Sequence, residues 1–187
     1  MLSPSDKKTL LQIARETIAS IVQSRKRPAF DVTSPALTAN GAAFVTLNKR
    51  GQLRGCIGHV DATGPLWSTV RDMATAAATQ DPRFHPVTKD EVAQLHIEIS
   101  VMTPMKKVSS PEEIVVGKHG LMMVRSFRSG LLLPQVATEY GWTREEFLQH
   151  TCLKAGMSPD AWKDPATEIY CFSAEVFGEE ESGPGRS

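Results

Sequence analysis

The sequence contains few cysteines, since only Cys56, Cys152 and Cys171 occur among its 187 residues. This odd and widely spaced set resembles neither a disulfide framework nor a zinc site built from C-x-x-C pairs. Cys152, on the apolar stripe of a helix, and Cys171, in the last strand, are interpreted as packing residues. We therefore expect three reduced thiols and a cytoplasmic protein.

Long apolar runs are also missing. The N-terminal segment MLSPSDKKTLLQIARE carries charges where a secretory signal needs a continuous apolar stretch. No uninterrupted apolar run elsewhere approaches the length that spans a bilayer. Hydrophobic residues make up 41% and charged residues 22% of the chain, which is ordinary globular usage and excludes disordered, fibrous and membrane classes.

An excess of charge of either sign is absent, because 21 Lys and Arg balance 21 Asp and Glu. Without a net positive charge or a basic stripe interleaved with aromatics, no nucleic-acid partner is predicted. The sequence also lacks a P-loop, a G-x-G-x-x-G turn, a nucleophile-elbow serine and an H-E-x-x-H pair. We therefore predict neither a cofactor nor a metal.

The periodicities that are present predict helices and hairpins in alternation. In the first half they predict a helix from Ser3 to about residue 25, a loop over 27–41, a hairpin of strands 42–48 and 53–60, and a helix from Pro65 that ends before Asp81. In the second half they predict a short helix over 89–94, a strand over 95–101, a hairpin over 120–133 with its turn at 127–130, a short helix from Pro134, a helix capped by Thr143 that ends at Gly156, and a last strand over 167–177.

Scattered hairpins with helices between them favour an α+β fold with an antiparallel or mixed sheet flanked by helices. We predict one module over residues 1–177 and a flexible tail over 178–187.

The segment Leu53–His59 is where the sequence suggests chemistry. Gly55 and Gly58 interrupt a strand, and glycine in a strand weakens it unless something approaches the backbone closely. Strict alternation places Arg54 and Cys56 on one face. A guanidinium beside a thiol favours the reactive thiolate, so Cys56 is a candidate nucleophile.

Other interpretations of this region remain open. Cys56 can be a small buried hydrophobe. Cys56 and His59 can share a metal ion only if a bulge brings them to the same face. Arg83 can clamp an anionic group or tie down its own loop through Asp81.

The polar face of a neighbouring strand offers further candidates. His96, Glu98 and Ser100 can supply a base, an acid and a hydroxyl if that face borders a cleft, or can form a solvated sheet surface.

The segments LRGCIG, DPRF, IEISVMTP, GLLLPQVA and FLQHTCLKAG, taken in order, resemble the AMMECR domain family, called AmmeMemoRadiSam system protein A in bacteria. The resemblance covers nearly the whole chain, and RGCIG is its most distinctive motif. It implies a larger and a smaller lobe with the Arg54 to Gly58 segment beside a cleft between them. It also implies partnership with a Memo-like protein and a radical S-adenosylmethionine protein.

Carried over position by position, the resemblance gives a set of site candidates: Arg54, Gly55, Cys56, Ile57, Gly58, Arg83 and Gln135. His59 and His85 depart from the family pattern, which weakens any mechanism that needs those histidines.

Two functions follow as expectations, and the sequence does not decide whether the protein is an enzyme. In the first, Cys56 and Arg54 are catalytic, in a thiol-dependent enzyme or enzyme subunit, and Arg83 or Gln135 orients the substrate. In the second, the same cleft binds a small ligand or a partner segment without catalysis.

Overall fold

The chain is described by a computed structural model over residues 1–24 and 26–179. It divides into two compact units. The first comprises Met1–Val101 together with the C-terminal segment that begins at Glu175, and the second comprises Met102–Ala174. Within the described ranges, no helix is both long and apolar enough to cross a membrane.

The first unit is built on a four-stranded sheet in the order β2-β1-β3-β8. Its strands are β1 (Ala43–Lys49), β2 (Gln52–Gly58), β3 (Leu95–Met102) and β8 (Ala174–Gly178). The pairings of β1 with β2 and with β3 are antiparallel. In the turn between β1 and β2, Arg50 and Gly51 both have positive φ (52° and 75°), as a two-residue hairpin turn requires. Because β2 lies at the end of this order, its outer edge faces no further strand.

One face of this sheet carries the core of the first unit. Helix α1 (Pro4–Ser24) and helix α3 (Leu66–Thr79) pack on the face that presents Val45, Leu47 and Ile97. Helix α1 begins at the predicted cap, where the Asp6 amide donates to Ser3 Oγ at 3.1 Å and the Ser3 amide donates to Asp6 Oδ2 at 3.2 Å. The polar side chains of β1 and β3 lie on the opposite face of the sheet.

The second unit has its own sheet and its own core. The sheet order is β4-β7-β5-β6, with β4 (Lys106–Lys107), β5 (Gly120–Arg125), β6 (Arg128–Leu132) and β7 (Glu168–Phe172). Helices α4 (Pro134–Glu139) and α5 (Arg144–Lys154) cover it. The predicted capping box of α5 is confirmed, since the Thr143 amide donates to Glu146 Oε2 at 2.8 Å. Phe147, Leu121 and Met123 are fully buried in its core.

The α+β prediction is confirmed, but the chain forms two sheets where one was expected. The last predicted strand, 167–177, is wrong as a single element. It breaks at Ser173 into β7 and β8, which belong to different sheets. An alternation of apolar residues shows which face of a strand is buried, but it cannot show that the strand changes sheets.

Two local predictions also need correction. The loop predicted over 27–41 contains a short helix, α2 (Pro35–Thr38). The second hairpin turns at Ser126 and Phe127 rather than at 127–130, because Arg125 pairs directly with Arg128. Ser126 takes the positive φ that a glycine would normally supply (55°), so the sequence held no turn signal there.

The flexible tail over 178–187 stays a prediction. Residue 178 ends β8, and the Arg15 guanidinium pairs with the carboxylate of Glu179. The remainder of the predicted tail, 180–187, lies outside the described residues. The cleft implied between two lobes stays a prediction.

Candidate functional site

The segment Arg54 to Gly58 forms most of the edge strand β2, and a β-bulge interrupts it. Cys56 lies opposite Thr46 and Gly55 opposite Leu47, but Asn48 then lies opposite Leu53. The register shift leaves Arg54 without a partner on β1, so strict alternation fails at this residue. The prediction that Arg54 and Cys56 project together from one face is therefore not supported by the strand geometry.

The Cys56 thiol lies on the polar face of the sheet. Its sulfur accepts a hydrogen bond from Thr46 Oγ1 at 3.2 Å, and the residue is partly exposed. The Cys56 amide donates to Asp81 Oδ2 at 2.9 Å. Within the described part of the chain, the hydroxyl of Thr46 is the only side-chain group that hydrogen-bonds to this sulfur.

Arg54 is committed to a carboxylate rather than to the thiol. Its Nε and Nη2 atoms donate to Glu91 Oε1 and Oε2 at 3.0 and 2.9 Å, and its Nη1 donates to the carbonyl of His85 at 3.0 Å. Lys49 Nζ also contacts Glu91 Oε1 at 2.8 Å. These hydrogen bonds, with that of Arg54 the strongest, hold the pKa of Glu91 well below its usual range. A bidentate pair of this kind explains how a mostly buried guanidinium is tolerated.

The DPRF loop closes the outer edge of β2. Asp81 is buried and accepts two hydrogen bonds from the Arg83 guanidinium, at 2.9 and 2.7 Å, besides that of the Cys56 amide. Arg83 Nη2 in turn donates to the Cys56 carbonyl at 3.4 Å. The Arg83 guanidinium, and then the Cys56 amide, hold the pKa of Asp81 well below its usual range despite its burial. The ion pair thus ties down the loop, which is one of the two interpretations of Arg83, and it also hydrogen-bonds the Cys56 backbone at the edge where no strand pairs with β2.

An aromatic ring lies near both arginines. The Phe84 ring centroid is 5.9 Å from Arg54 Cζ and 5.5 Å from Arg83 Cζ, within cation–π range of both. With Pro82 and His85, these side chains line an open depression of about 490 Å³. His85 therefore lies at this depression, with its backbone carbonyl bound to Arg54.

The two glycines are explained by the protein's own packing. A Cβ at Gly55 would lie 2.3 Å from the carbonyl oxygen of Ala77 on α3, and a Cβ at Gly58 would lie 2.2 Å from the Phe44 ring. Something does approach the backbone closely, as the sequence indicated, but it is a helix and a ring rather than a substrate. Ile57 is partly buried against the core of the first unit.

Two further candidates, Gln135 and His59, make no hydrogen bond to the Cys56 side chain within the described residues. Gln135 is exposed on α4. It belongs to the second unit, whereas Cys56, Arg54 and Arg83 belong to the first. His59 Nδ1 is buried without a hydrogen-bond partner within the described residues. No group of three or more His, Cys, Asp or Glu side chains suited to a metal ion occurs in the described ranges.

Sequence reasoning missed Thr46, Phe84 and Glu91. Glu91 stands three residues after Thr88 in a capping box, a pattern that marks a helix start but gives no hint of the contact with Arg54. Thr46 lies in a strand whose alternation indicates only that it faces away from the core. Phe84 entered the sequence analysis only as the last residue of the DPRF segment, without a role of its own.

Comparisons with known proteins agree on one family. The family model described as AMMECR1 matches residues 11–177. A protein of Methanosarcina barkeri is 42% identical over 97% of this chain and 94% of its own length. A protein of Methanothermobacter thermautotrophicus is 43% identical over 96% of this chain and 97% of its own length. The crystal structure of the uncharacterized protein PH0010 from Pyrococcus horikoshii superposes with a TM-score of 0.81, at 41% identity, over 94% of this chain and 92% of that one.

Proposed function

Because this chain belongs to the AMMECR1 family, we propose that it is a thiol-dependent enzyme, or the thiol-bearing subunit of one, with Cys56 as its nucleophile. A thiolate attacks an electrophilic substrate atom and forms a covalent intermediate, which divides one difficult step into two easier ones. Three free thiols fit a reducing compartment, so the proposal places the protein in the cytoplasm.

One observation carries the proposal: Cys56 is the one residue of the RGCIG segment with a reactive side chain that is neither packed in the core nor ion-paired. Gly55 and Gly58 are required by the neighbours that approach them, and Ile57 packs on the core. Arg54 pairs with Glu91. The backbone of Cys56 is bound through Asp81 and Arg83, its sulfur accepts one hydrogen bond from Thr46, and the residue is partly exposed.

This proposal gives Arg54 a different role from the one that the sequence suggested. Its guanidinium holds β2 to Glu91 and to the His85 carbonyl, and so fixes the strand that presents the thiol. Arg83 positions the Cys56 backbone in the same way through Asp81. Gln135 stays a proposed substrate-orienting residue whose role rests on the family resemblance alone.

The proposed partners are a Memo-like protein and a radical S-adenosylmethionine protein, as the bacterial family name implies. Tagged protein should retain both partners in a pull-down from cells that express all three. Loss of both partners from a well-folded protein would remove this part of the proposal.

The experiment that tests the thiol compares metabolites in cells that lack the gene and carry one of three copies. The wild-type copy and a Cys171→Ala copy should restore the same metabolites, because Cys171 is a buried packing residue. A Cys56→Ser copy should fail to restore them although the protein accumulates normally. Full restoration by Cys56→Ser would contradict a nucleophilic role.

A non-catalytic binding module is the second candidate, favoured by the depression beside Phe84. Two guanidiniums lie within cation–π range of one aromatic ring there, an arrangement that suits a planar or anionic group. If this function is the correct one, Phe84→Ala will weaken retention of the partners while Cys56→Ser leaves it intact. The opposite pattern favours the enzyme.

A further inference from the structure

We propose that the second unit contains a binding site of its own, which takes a neutral ligand that carries an amide or carbonyl oxygen. The site is a cavity lined by residues of the segments 107–111 and 162–169. Both segments belong to the second unit. Binding at this cavity is a function separate from the one proposed for Cys56.

The cavity has a volume of about 660 Å³, which lies within the range of small-molecule sites. One wall is the chain that follows β4, and the other runs from Trp162 to Ile169. The Val108 amide donates to the Ile169 carbonyl at 2.8 Å. The Thr167 amide donates to the Asp164 carbonyl at 2.9 Å. Backbone hydrogen bonds therefore hold both walls in place.

Two polar side chains at this cavity have a buried atom without a hydrogen-bond partner. The atoms are Trp162 Nε1 and Thr167 Oγ1, and neither bonds to any described residue. Elsewhere in the described ranges, only Thr17 Oγ1 and His59 Nδ1 are in the same state. A buried polar group without a partner costs free energy, so native proteins keep few of them. The occurrence of two at one cavity indicates that a ligand supplies the hydrogen bonds.

The chemistry of the two atoms specifies what the ligand offers. An indole N–H is a donor only, whereas a threonine hydroxyl both donates and accepts. An oxygen that accepts from Trp162 therefore satisfies the first atom. Thr167 can donate to the same oxygen or accept from a neighbouring N–H of the ligand. A carbonyl oxygen, alone or as part of an amide, meets both requirements.

The charges at the cavity favour a neutral ligand over an anion. Four charged residues belong to the lining, and each of them is ion-paired. The pairs are Lys107–Glu168, Lys163–Asp160 and Asp164–Arg125. A carboxylate or phosphate would thus find no unpaired cation in the lining, and its desolvation would stay uncompensated.

The ligand reaches the two atoms after a small movement of side chains, because both atoms are covered. Lys107 and Lys163 line the cavity with 61% and 53% of their side chains exposed. Exposed side chains change rotamer within nanoseconds, so these two lysines form the movable part of the lining. No change of the backbone is needed.

The first test asks whether the Thr167 hydroxyl lacks a partner. Thr167→Val replaces the hydroxyl with a methyl group, and thermal unfolding of the full chain should give a Tm equal to or above that of the wild type. Thr151→Val is the matched control in the same unit, because the buried Thr151 hydroxyl donates to the Phe147 carbonyl at 2.7 Å. Its Tm should be lower. A Tm of Thr167→Val as low as that of Thr151→Val would mean that the Thr167 hydroxyl is already bonded, to the chain or to water, and would overturn the proposed site.

The second test adds a neutral amide, N-acetylalanine methylamide, and follows the indole N–H signals in nitrogen–proton NMR spectra. Trp162→Phe identifies the Trp162 signal among those of the three tryptophans. In the wild type this signal should shift saturably with the amide, and at least about fivefold weaker with sodium acetate. In Thr167→Val the affinity for the amide should fall at least about threefold. A Trp162 signal that ignores the amide, or that responds equally to acetate, would overturn the proposal.

Discussion

The two units contain hairpins of the same construction, and only one of them carries a candidate site. In the first unit, β1 and β2 join through Arg50 and Gly51, and β2 is an edge strand. In the second, β5 and β6 join through Ser126 and Phe127, and β6 is an edge strand.

Both β2 and β6 contain a glycine pressed against the backbone of a neighbouring helix or of the turn that follows it. A Cβ at Gly55 would be 2.3 Å from the Ala77 oxygen, and a Cβ at Gly130 would be 2.3 Å from the Ala155 nitrogen. The glycine is therefore a requirement of packing an edge strand closely, and it does not mark a site. What sets β2 apart is the thiol of Cys56 and the Asp81–Arg83 pair at its outer edge.

The largest loss of stability is expected at the closely packed glycines that β2 and β6 share. Gly55→Ala and Gly130→Ala should each lower the free energy of unfolding by about 3 kcal/mol, because the added methyl overlaps backbone atoms that cannot move aside. Gly64→Ala is the matched control, since nothing lies within 4 Å of that position. Urea denaturation measures all three. A loss at Gly55 no greater than that at Gly64 would show that this glycine is retained for another reason.

The next largest loss of stability is expected at the Asp81–Arg83 pair, which distinguishes β2 from β6. Asp81→Asn should cost about 2 kcal/mol, because the buried carboxylate accepts hydrogen bonds from Arg83 and from the Cys56 amide. Asp164→Asn is the counterpart in the second unit, where an exposed ion pair with Arg125 should contribute under about 0.5 kcal/mol. Equal losses for the two variants would contradict the difference drawn between the hairpins.

Acid denaturation should also show how much the ion pairs beside β2 stabilise the protein. The pKa values of Asp81 and Glu91 are both depressed in the folded protein by their arginine partners. Unfolded carboxyls titrate near pH 4, so the stabilisation by these groups is complete above about pH 5 and is lost as the pH falls through their folded pKa values. Denaturation curves between pH 2 and 6 should show a smaller loss for Asp81→Asn than for the wild type. An unchanged acid slope would mean that Asp81 is not paired in solution.

The smallest stability effect concerns Arg54. Arg54→Lys should cost about 1 kcal/mol, because an ammonium keeps the charge beside Glu91 but cannot reproduce the two parallel hydrogen bonds. Arg50→Lys, in the exposed turn of the same hairpin, should cost nothing measurable. Indistinguishable melting temperatures for the two variants would show that the bidentate geometry contributes little.

The sequence was most informative where the signal was local. The Ser3 and Thr143 caps and the alternation of β3 each predicted an element that the structure contains. The break at Ser173 was missed because the backbone stays extended on both sides of it. Sheet membership depends on distant strands, and a single sequence does not reveal it.

The candidate site shows the same limit. The sequence identified Cys56 and the close approach at Gly55, but it paired the thiol with Arg54 on the assumption of strict alternation. A bulge at Arg54 and the distant Glu91 redirect that guanidinium. The hydrogen bond from Thr46 depends on cross-strand register, which sequence periodicity leaves undetermined.

The most direct test of the account is the order in which the three thiols of the native protein react with iodoacetamide at pH 7. Cys152 and Cys171 are buried, and burial raises the pKa of Cys152, so both should stay protected until the protein unfolds. We predict that Cys56 is modified first, at least about tenfold faster than the other two. Modification of Cys56 only in step with Cys152 and Cys171, on unfolding, would contradict its role as an accessible nucleophile.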